Sequence, residues 1–99
     1  MNIFPIELES ILTEHPKILE AAIVAIPHNS LGEVPCLCVI TMDEGQLTLG
    51  EVTEFLTQRE LARYKFPVRL IEFNDFPRGQ TMRVNRRKLT ELVLVTEGR

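Results

Sequence analysis

The sequence predicts an α+β domain in which about three helices cover a small three-stranded sheet. Short apolar runs rich in β-branched residues alternate with segments whose apolar residues recur at helical spacing. The chain has 99 residues, which suffices for one domain with a single core. The expected order of elements is α-β-β-α-β-α, and helices packed on a sheet define the α+β class.

The first half of the chain predicts one helix and two strands. Pro5 suits the first turn of a helix, an apolar stripe follows it, and Pro16 ends the segment. The run "EAAIVAIP", residues 20–27, predicts a strand that is buried on both faces. The stretch "HNSLGEVP", residues 28–35, is a loop by composition, and "CLCVITM", residues 36–42, is the second strand.

The second half predicts a helix, a strand and a last helix. Thr48 and Glu51 have the spacing of a capping box, and the helix that they open is expected to run to about Arg63. The run "VRLIEF", residues 68–73, is the third strand, and Asn85 is a candidate cap for the last helix. The residues of the last helix expected to face the core are Leu89, Leu92 and Val93.

Composition is that of a folded, water-soluble chain, with 44% hydrophobic and 25% charged residues. The N-terminal residues lack the basic region and the long apolar stretch of a secretory signal. The longest apolar run, "AAIVAIP", is far shorter than the roughly 20 residues of a membrane-spanning helix. We therefore expect a cytoplasmic protein without a membrane partner, with one domain at residues 1–95 and a tail at 96–99.

The cysteines and histidines predict neither a metal site nor a catalytic pair. Cys36 and Cys38 form a C-x-C pair without a second Cys or His pair, which favours reduced cysteines of the core. His15 and His28 have no Ser or Cys partner in a recognisable motif, which favours surface or loop positions. The five glycines are scattered and form no phosphate cradle.

Positive charge is concentrated in "FPRGQTMRVNRRKL", residues 76–89, which holds five of the chain's 11 Lys and Arg residues, while the net charge is -3. A nucleic-acid site is disfavoured because the pI is about 5.4 and the chain has one Tyr and no Trp. For the three cations at 86–88 the favoured interpretation is a solvated surface. They would lie in the first turn of a helix, where the helix dipole disfavours positive charge unless an anion balances it. Arg78 and Arg83 remain as candidates for an anionic small molecule.

Three stretches together resemble one known family. They are "IFPIELESILTEHPKILEAAIVAIP", "SLGEVPCLCVI" and "LARYKFPVRLIEFNDFPRG". In this order they are similar to the small C-terminal domain of the adenylate-forming enzymes, which include acyl- and aryl-CoA synthetases, nonribosomal peptide adenylation domains and luciferases. The resemblance covers roughly residues 2 to 94. It implies a lid domain whose basic loop, P-R-T-x-T-G-K-[IV]-x-[RK], brings a lysine to the substrate carboxylate and phosphate during adenylation.

The chain departs from that loop at two positions. The resemblance places Arg83 at the family lysine and Met82 at the family glycine. Arg83 keeps the positive charge but replaces a compact ammonium with a planar fork. Met82 lacks the freedom of glycine to adopt positive φ, which predicts a different path for the loop.

The resemblance implies the C-terminal lid domain of an acyl-CoA-synthetase-like ligase. Such a domain contributes its cationic loop to adenylation and a surface to thioester formation when joined to a large N-terminal ATP-binding domain. ATP, Mg²⁺ and coenzyme A are implied for the full-length enzyme and no cofactor for this chain, which is expected to be inactive alone. Coenzyme A or a carrier protein is the implied thiol partner, and no nucleic acid is expected. The alternative is a degenerate, non-catalytic protein-binding module that lacks the family lysine, and a small standalone structural protein is a third option.

Overall fold

The computed structural model describes residues 5–42, 46–62 and 65–97 and has three helices and three strands in these ranges. The elements are α1 (Pro5–Leu12), β1 (Ile18–His28), β2 (Gly32–Thr41), α2 (Leu49–Gln58), β3 (Arg69–Glu72) and α3 (Arg86–Glu97). Their order confirms the predicted α-β-β-α-β-α pattern.

The three strands form one mixed sheet in the order β1-β2-β3. β1 and β2 are antiparallel, with Ala22 opposite Cys38 in the register. β2 and β3 are parallel, with Cys36 opposite Arg69. β2 is therefore the central strand, and β1 and β3 are the edges of the sheet.

The connection between β1 and β2 is shorter than the composition of residues 28–35 predicts. The prediction of a loop is wrong there, because β1 runs to His28 and β2 begins at Gly32. The Nδ1 atom of His28 accepts the backbone N–H groups of Ser30 and Leu31, both at 3.1 Å, and closes the turn. Gly32 follows at φ +82, in the left-handed region that glycine adopts readily.

Helices cover both faces of the sheet, so the core has two layers. α1 and α2 cover one face, where the buried residues are Leu8, Leu12, Ile18, Ala21, Ile23, Leu37, Val39, Leu47, Val52, Leu56 and Phe66. α3 and the segment after β3 cover the other, where the buried residues are Ala22, Val24, Ile26, Val34, Cys36, Cys38, Ile40, Phe76, Leu89 and Val93. The prediction that β1 is buried on both faces is confirmed.

The predicted start of α2 is confirmed and its predicted end is wrong. The Thr48 side chain accepts the N–H of Glu51 and the Glu51 carboxylate accepts the N–H of Thr48, which completes the capping box. The helix ends at Gln58, well before Arg63, which lies outside the described residues. Two residues after Gln58, Glu60 has φ +60, which cannot continue a right-handed helix.

The predicted cap of α3 is confirmed, and one of its three predicted core residues is wrong. Asn85 Oδ1 accepts the N–H of Lys88 at 3.1 Å, as an N-cap side chain does. Leu89 and Val93 are fully buried, whereas Leu92 is 42% exposed. The buried stripe passes through Leu89 and Val93, four residues apart, and Leu92 lies on its flank.

No helix in the described ranges is long and apolar enough to cross a membrane. α3 continues to Glu97, and the division into a domain at 1–95 and a tail at 96–99 stays a prediction. The cytoplasmic location also stays a prediction.

Candidate functional site

The five cations of residues 76–89 fall into two groups in the structure. Arg78 and Arg86 are partly enclosed and each forms a two-oxygen ion pair with a glutamate on another element. Arg83, Arg87 and Lys88 are exposed. Among the described residues, Arg87 reaches only Glu91, with its Nε atom 4.0 Å from the carboxylate.

Arg86 joins α3 to α1 and β1. Its Nη1 and Nη2 atoms donate to the two carboxylate oxygens of Glu9 at 2.7 and 2.6 Å, and Nη1 also donates to the carbonyl oxygen of Ile23 at 3.2 Å. The Glu9 side chain is only 12% exposed, and its hydrogen bonds raise the pKa of Arg86 above the usual value. The solvated-surface interpretation is therefore wrong for Arg86, because Glu9 is the anion that balances it.

Arg78 joins the cation-rich segment of residues 76–89 to β1. Its Nη2 and Nη1 atoms donate to the carboxylate oxygens of Glu20 at 2.6 and 3.1 Å, and Nη2 and Nε donate to Asp75 Oδ1 at 3.0 and 3.2 Å. Hydrogen bonds from Glu20 and then Asp75 raise the pKa of Arg78. Arg78 in turn lowers the pKa of Asp75, with help from the N–H of Phe76. Arg78 thus has anionic partners within the domain.

Residues 77–85, called the basic loop below, form a narrow hairpin-like turn. Its base is closed by a 2.7 Å hydrogen bond from the N–H of Asn85 to the carbonyl oxygen of Pro77. Its tip is closed by a 2.9 Å hydrogen bond from the N–H of Gly79 to the carbonyl oxygen of Arg83. The backbone of the basic loop is thus fixed at both ends.

Met82 adopts the conformation that a glycine would favour at this position. Its φ is +67, in the left-handed region, and the residue is 69% exposed. The expectation that methionine keeps the loop out of positive φ is therefore wrong. A non-glycine residue in this region costs about 1–2 kcal/mol, which the bonds of the basic loop must offset.

Arg83 follows Met82 at the tip of the basic loop and is exposed. Its carbonyl oxygen is bonded to Gly79, while its guanidinium has no ion-pair or hydrogen-bond partner in the part of the chain that the structure describes. A free guanidinium on a fixed backbone can bind a carboxylate or a phosphate with two parallel hydrogen bonds. The role of Arg83 in catalysis stays a prediction.

The histidines and cysteines have local roles. His15 Nδ1 accepts the N–H of Lys17 at 3.0 Å, just as His28 Nδ1 closes the β1–β2 turn. Cys36 and Cys38 are buried on one face of β2 and form no disulfide, and the hydrogen bond to Cys36, together with burial, raises the pKa of Cys38. A raised thiol pKa disfavours the thiolate, so Cys38 is not poised as a nucleophile. Within the described ranges no three His, Cys, Asp or Glu side chains converge to hold a metal ion.

Sequence reasoning missed the two glutamates that anchor the basic loop and α3. Glu9 in α1 lies 77 residues before its partner Arg86, and Glu20 in β1 lies 58 residues before its partner Arg78, so no local spacing links them to the cations. The available signal was an acidic residue inside each of two apolar segments.

A groove of about 420 Å³ was also not foreseen. It is lined by Ile26, Pro27, His28, Leu31, Val34, Val68, Arg69 and Leu94.

A family of known domains matches this chain over residues 7–82, the AMP-binding enzyme C-terminal domain. The chain belongs to this family. Among curated relatives of this AMP-binding enzyme C-terminal domain, it is 37% identical over 90 residues to the medium-chain acyl-CoA ligase ACSF2, mitochondrial, of Danio rerio. It is 34% identical over 92 residues to a 2-succinylbenzoate–CoA ligase of Bacillus mycoides. These alignments cover 91% and 93% of the chain but 15% and 18% of the relatives.

Solved structures of the same superfamily share the fold of this AMP-binding enzyme C-terminal domain. The o-succinylbenzoate CoA synthetase of Bacillus subtilis, solved with its acyl-adenylate intermediate, aligns at a TM-score of 0.81 and 30% identity over 90% of the chain. The fatty acyl CoA synthetase of Mycobacterium tuberculosis aligns at 0.87 and 29% identity over 97% of the chain. The chain spans 18% and 19% of these two proteins. The predicted fold and family are thereby confirmed.

Proposed function

We propose that this domain is the lid of an acyl-CoA-synthetase-like ligase. Joined to a large N-terminal ATP-binding domain, it brings Arg83 to the adenylation site and later offers a surface to the thiol that accepts the acyl group. The observation that carries this proposal is the exposure of the Arg83 side chain and its lack of a partner among the described residues. Its guanidinium lies at the tip of a fixed loop, exposed and unpaired in the described part of the chain.

The chemistry of adenylation suits a positioned cation. A carboxylate oxygen attacks the α-phosphorus of ATP, and pyrophosphate leaves with the electron pair of the broken P–O bond. Negative charge is therefore concentrated on the carboxylate and phosphate oxygens while the new bond forms. A guanidinium held beside them stabilises this charge, and its fork matches the spacing of two oxygens.

The other components of the reaction belong to the rest of the ligase. We assign ATP, Mg²⁺ and the carboxylic acid to the large domain, because this chain spans only 15 to 19% of the ligases cited above. Coenzyme A or a carrier-protein thiol would meet this domain in the second half-reaction. The two curated relatives are named for different acids, so the proposal extends to carboxylic acids as a class.

A degenerate protein-binding module is the second candidate, because Arg83 stands where the family has lysine. Two observations favour the lid. Met82 retains the left-handed backbone that glycine would supply, and the Arg83 side chain has acquired no intramolecular partner among the described residues. In a loop without a catalytic role, we would expect the strained backbone at Met82 to have been replaced by an unstrained one.

The test uses the two-domain ligase that carries this domain. Arg83→Ala is expected to lower the rate of acyl-adenylate formation on the order of 10²-fold, the effect of removing a preorganised donor. Arg83→Lys is expected to raise that rate above the starting value, because it restores the compact charge of the family. Pyrophosphate release with ATP, Mg²⁺ and the acid measures this half-reaction.

Two controls accompany this experiment. Lys88→Ala removes a nearby exposed cation and is expected to leave adenylation unchanged. Thioester formation from preformed acyl-adenylate is expected to change less than adenylation in both Arg83 variants, and the 99-residue chain alone is expected to release no pyrophosphate. An active ligase whose adenylation rate is the same with Arg, Lys or Ala at position 83 would exclude the catalytic role and favour the protein-binding module.

A further inference from the structure

We infer that Arg78 is a positioning residue, which holds the basic loop in the shape that presents Arg83. The inference rests on the proposed function for its consequence in catalysis. Its structural part, that Arg78 sets the conformation of the loop, stands on contacts within the domain and is tested separately below.

Arg78 contacts three parts of the chain at once. Its guanidinium donates to Glu20 in β1, to Asp75 just before the basic loop, and through Nη1 to the carbonyl oxygen of Met82 at 3.2 Å. The side chain is only 19% exposed, so these contacts are shielded from water more than a surface pair is. The tip of the loop is thereby connected to a strand of the central sheet.

The strained residue of the loop is the one that Arg78 holds. The left-handed backbone of Met82 gains little from packing, because its side chain projects into solvent. Polar contacts therefore maintain it. The Met82 N–H donates to the carbonyl oxygen of Gly79 at 3.1 Å, and the Met82 carbonyl oxygen accepts from Arg78. Arg83 is the next residue, so the direction of its side chain depends on the same peptide unit.

Arginine is the residue that this position requires. Its planar fork presents donors in several fixed directions, which allows one side chain to serve two carboxylates and a carbonyl oxygen. A lysine could retain the attraction to Glu20 but would carry a point charge without the fork. A residue that only balanced charge would tolerate lysine, whereas a residue that fixes the loop would not.

The first readout is hydrogen exchange in the ¹⁵N-labelled 99-residue chain. In Arg78→Gln, the amide of Gly79, which bonds to Arg83, is expected to exchange at least 10-fold faster. The amides of the central strand β2 are expected to keep their protection, which separates loop opening from a loss of global stability. Arg78→Lys keeps the charge but loses the fork and is also expected to exchange faster than the parent, though less than Arg78→Gln; a rate equal to that of the parent would reduce the role of Arg78 to charge balance. Arg87→Gln, which alters a cation that is 91% exposed, is the matched control and is expected to change nothing.

The second readout is the kinetics of the two-domain ligase. Arg78→Gln is expected to lower kcat for adenylation about 10- to 100-fold, since a misplacement of about 1 Å at a catalytic group can cost 10²-fold. The KM values for ATP and the acid are expected to change less than three-fold, and the thioester half-reaction less than the adenylation step. If Arg78→Gln does not fold, Glu20→Gln weakens the same anchor more gently and is expected to shift both readouts in the same direction.

The two readouts separate the inference from the function on which it rests. Unchanged exchange at Gly79 in Arg78→Gln and Glu20→Gln would overturn the positioning role, whatever the kinetics. Faster exchange together with slower adenylation supports both the positioning role and the lid function. Faster exchange with unchanged adenylation would uphold the hold on the loop and overturn the catalytic role of Arg83.

Discussion

Arg86 and Arg83 are three residues apart, have the same side chain and serve opposite purposes. The Arg86 guanidinium is bound by both oxygens of a nearly buried glutamate and joins two helices and a strand. The Arg83 guanidinium is exposed and, in the described ranges, binds nothing. The difference lies in the distant acid that the fold brings to one of them. A cation is available for a substrate only where the fold has left it without such an acid.

The comparison predicts its largest effect at Glu9. Glu9→Gln is expected to lower the free energy of unfolding by about 2 kcal/mol, because it leaves the partly enclosed guanidinium of Arg86 without its countercharge. Urea unfolding followed by circular dichroism measures this change, since the chain has one Tyr and no Trp. Glu91→Gln is the matched control, because its partner Arg87 is exposed and lies 4.0 Å from the carboxylate. The free energy of unfolding is expected to change by less than about 0.5 kcal/mol in this variant. Equal losses in the two variants would erase the distinction between anchored and exposed arginines.

A smaller effect of the opposite sign is expected at Met82. Met82→Gly removes the cost of the left-handed backbone, about 1–2 kcal/mol, but adds about 0.4–1 kcal/mol of conformational entropy to the unfolded chain. The net expectation is a gain of about 0.5 kcal/mol in the free energy of unfolding, measured by the same urea titration. A loss of stability would mean that the methionine side chain makes contacts that outweigh the strain. Gly32→Ala is the opposite test: it places a side chain at φ +82 and should lower the free energy of unfolding. Met42→Gly would not serve as a control, because Met42 has no positive φ.

The smallest effect is expected at Asp75, whose carboxylate is exposed. Arg78 lowers the pKa of Asp75, so the ionised form is favoured in the folded state. The resulting stabilisation is fully present above the unfolded pKa, about 3.9, and is lost as the pH falls through the lower folded pKa. Asp75→Asn is therefore expected to be less stable than the parent at pH 7, and the difference is expected to disappear as the pH falls below the folded pKa of Asp75. A difference that persists at the acid end would assign the effect to something other than the charge.

Local signals in the sequence predicted the order of the helices and strands and the starts of two helices well, but where some elements begin or end poorly. The capping box at Thr48 and the cap at Asn85 specify helix starts through bonds to residues three positions away, and both are confirmed. The end of α2 and the early start of β2 depend on positive φ at Glu60 and on a turn closed by His28, which composition does not reveal.

The candidate site shows the same limit. Arg83 lies on the basic loop, and its match to the family lysine stays a prediction. The contrast between its exposed guanidinium and those of Arg78 and Arg86 follows from where Glu20 and Glu9 lie in three dimensions. The expectation for Met82 is wrong because residue type alone does not determine the backbone conformation, which the hydrogen bonds of the loop stabilise. Contacts between residues 58 or 77 positions apart have no counterpart in a local pattern.

The ion pair between Glu9 and Arg86 also closes part of an open sheet edge. β1 is an edge strand, and such a strand exposes backbone groups with which a strand of another molecule can pair. At Ile23 both groups are already taken, since Glu9 accepts the N–H at 2.6 Å and Arg86 donates to the carbonyl oxygen. Pro27, four residues further along the same side of the strand, has no N–H to offer. An added strand would have to break a salt bridge at one position and forgo a hydrogen bond at another, and β1 is thereby protected from aggregation through its edge.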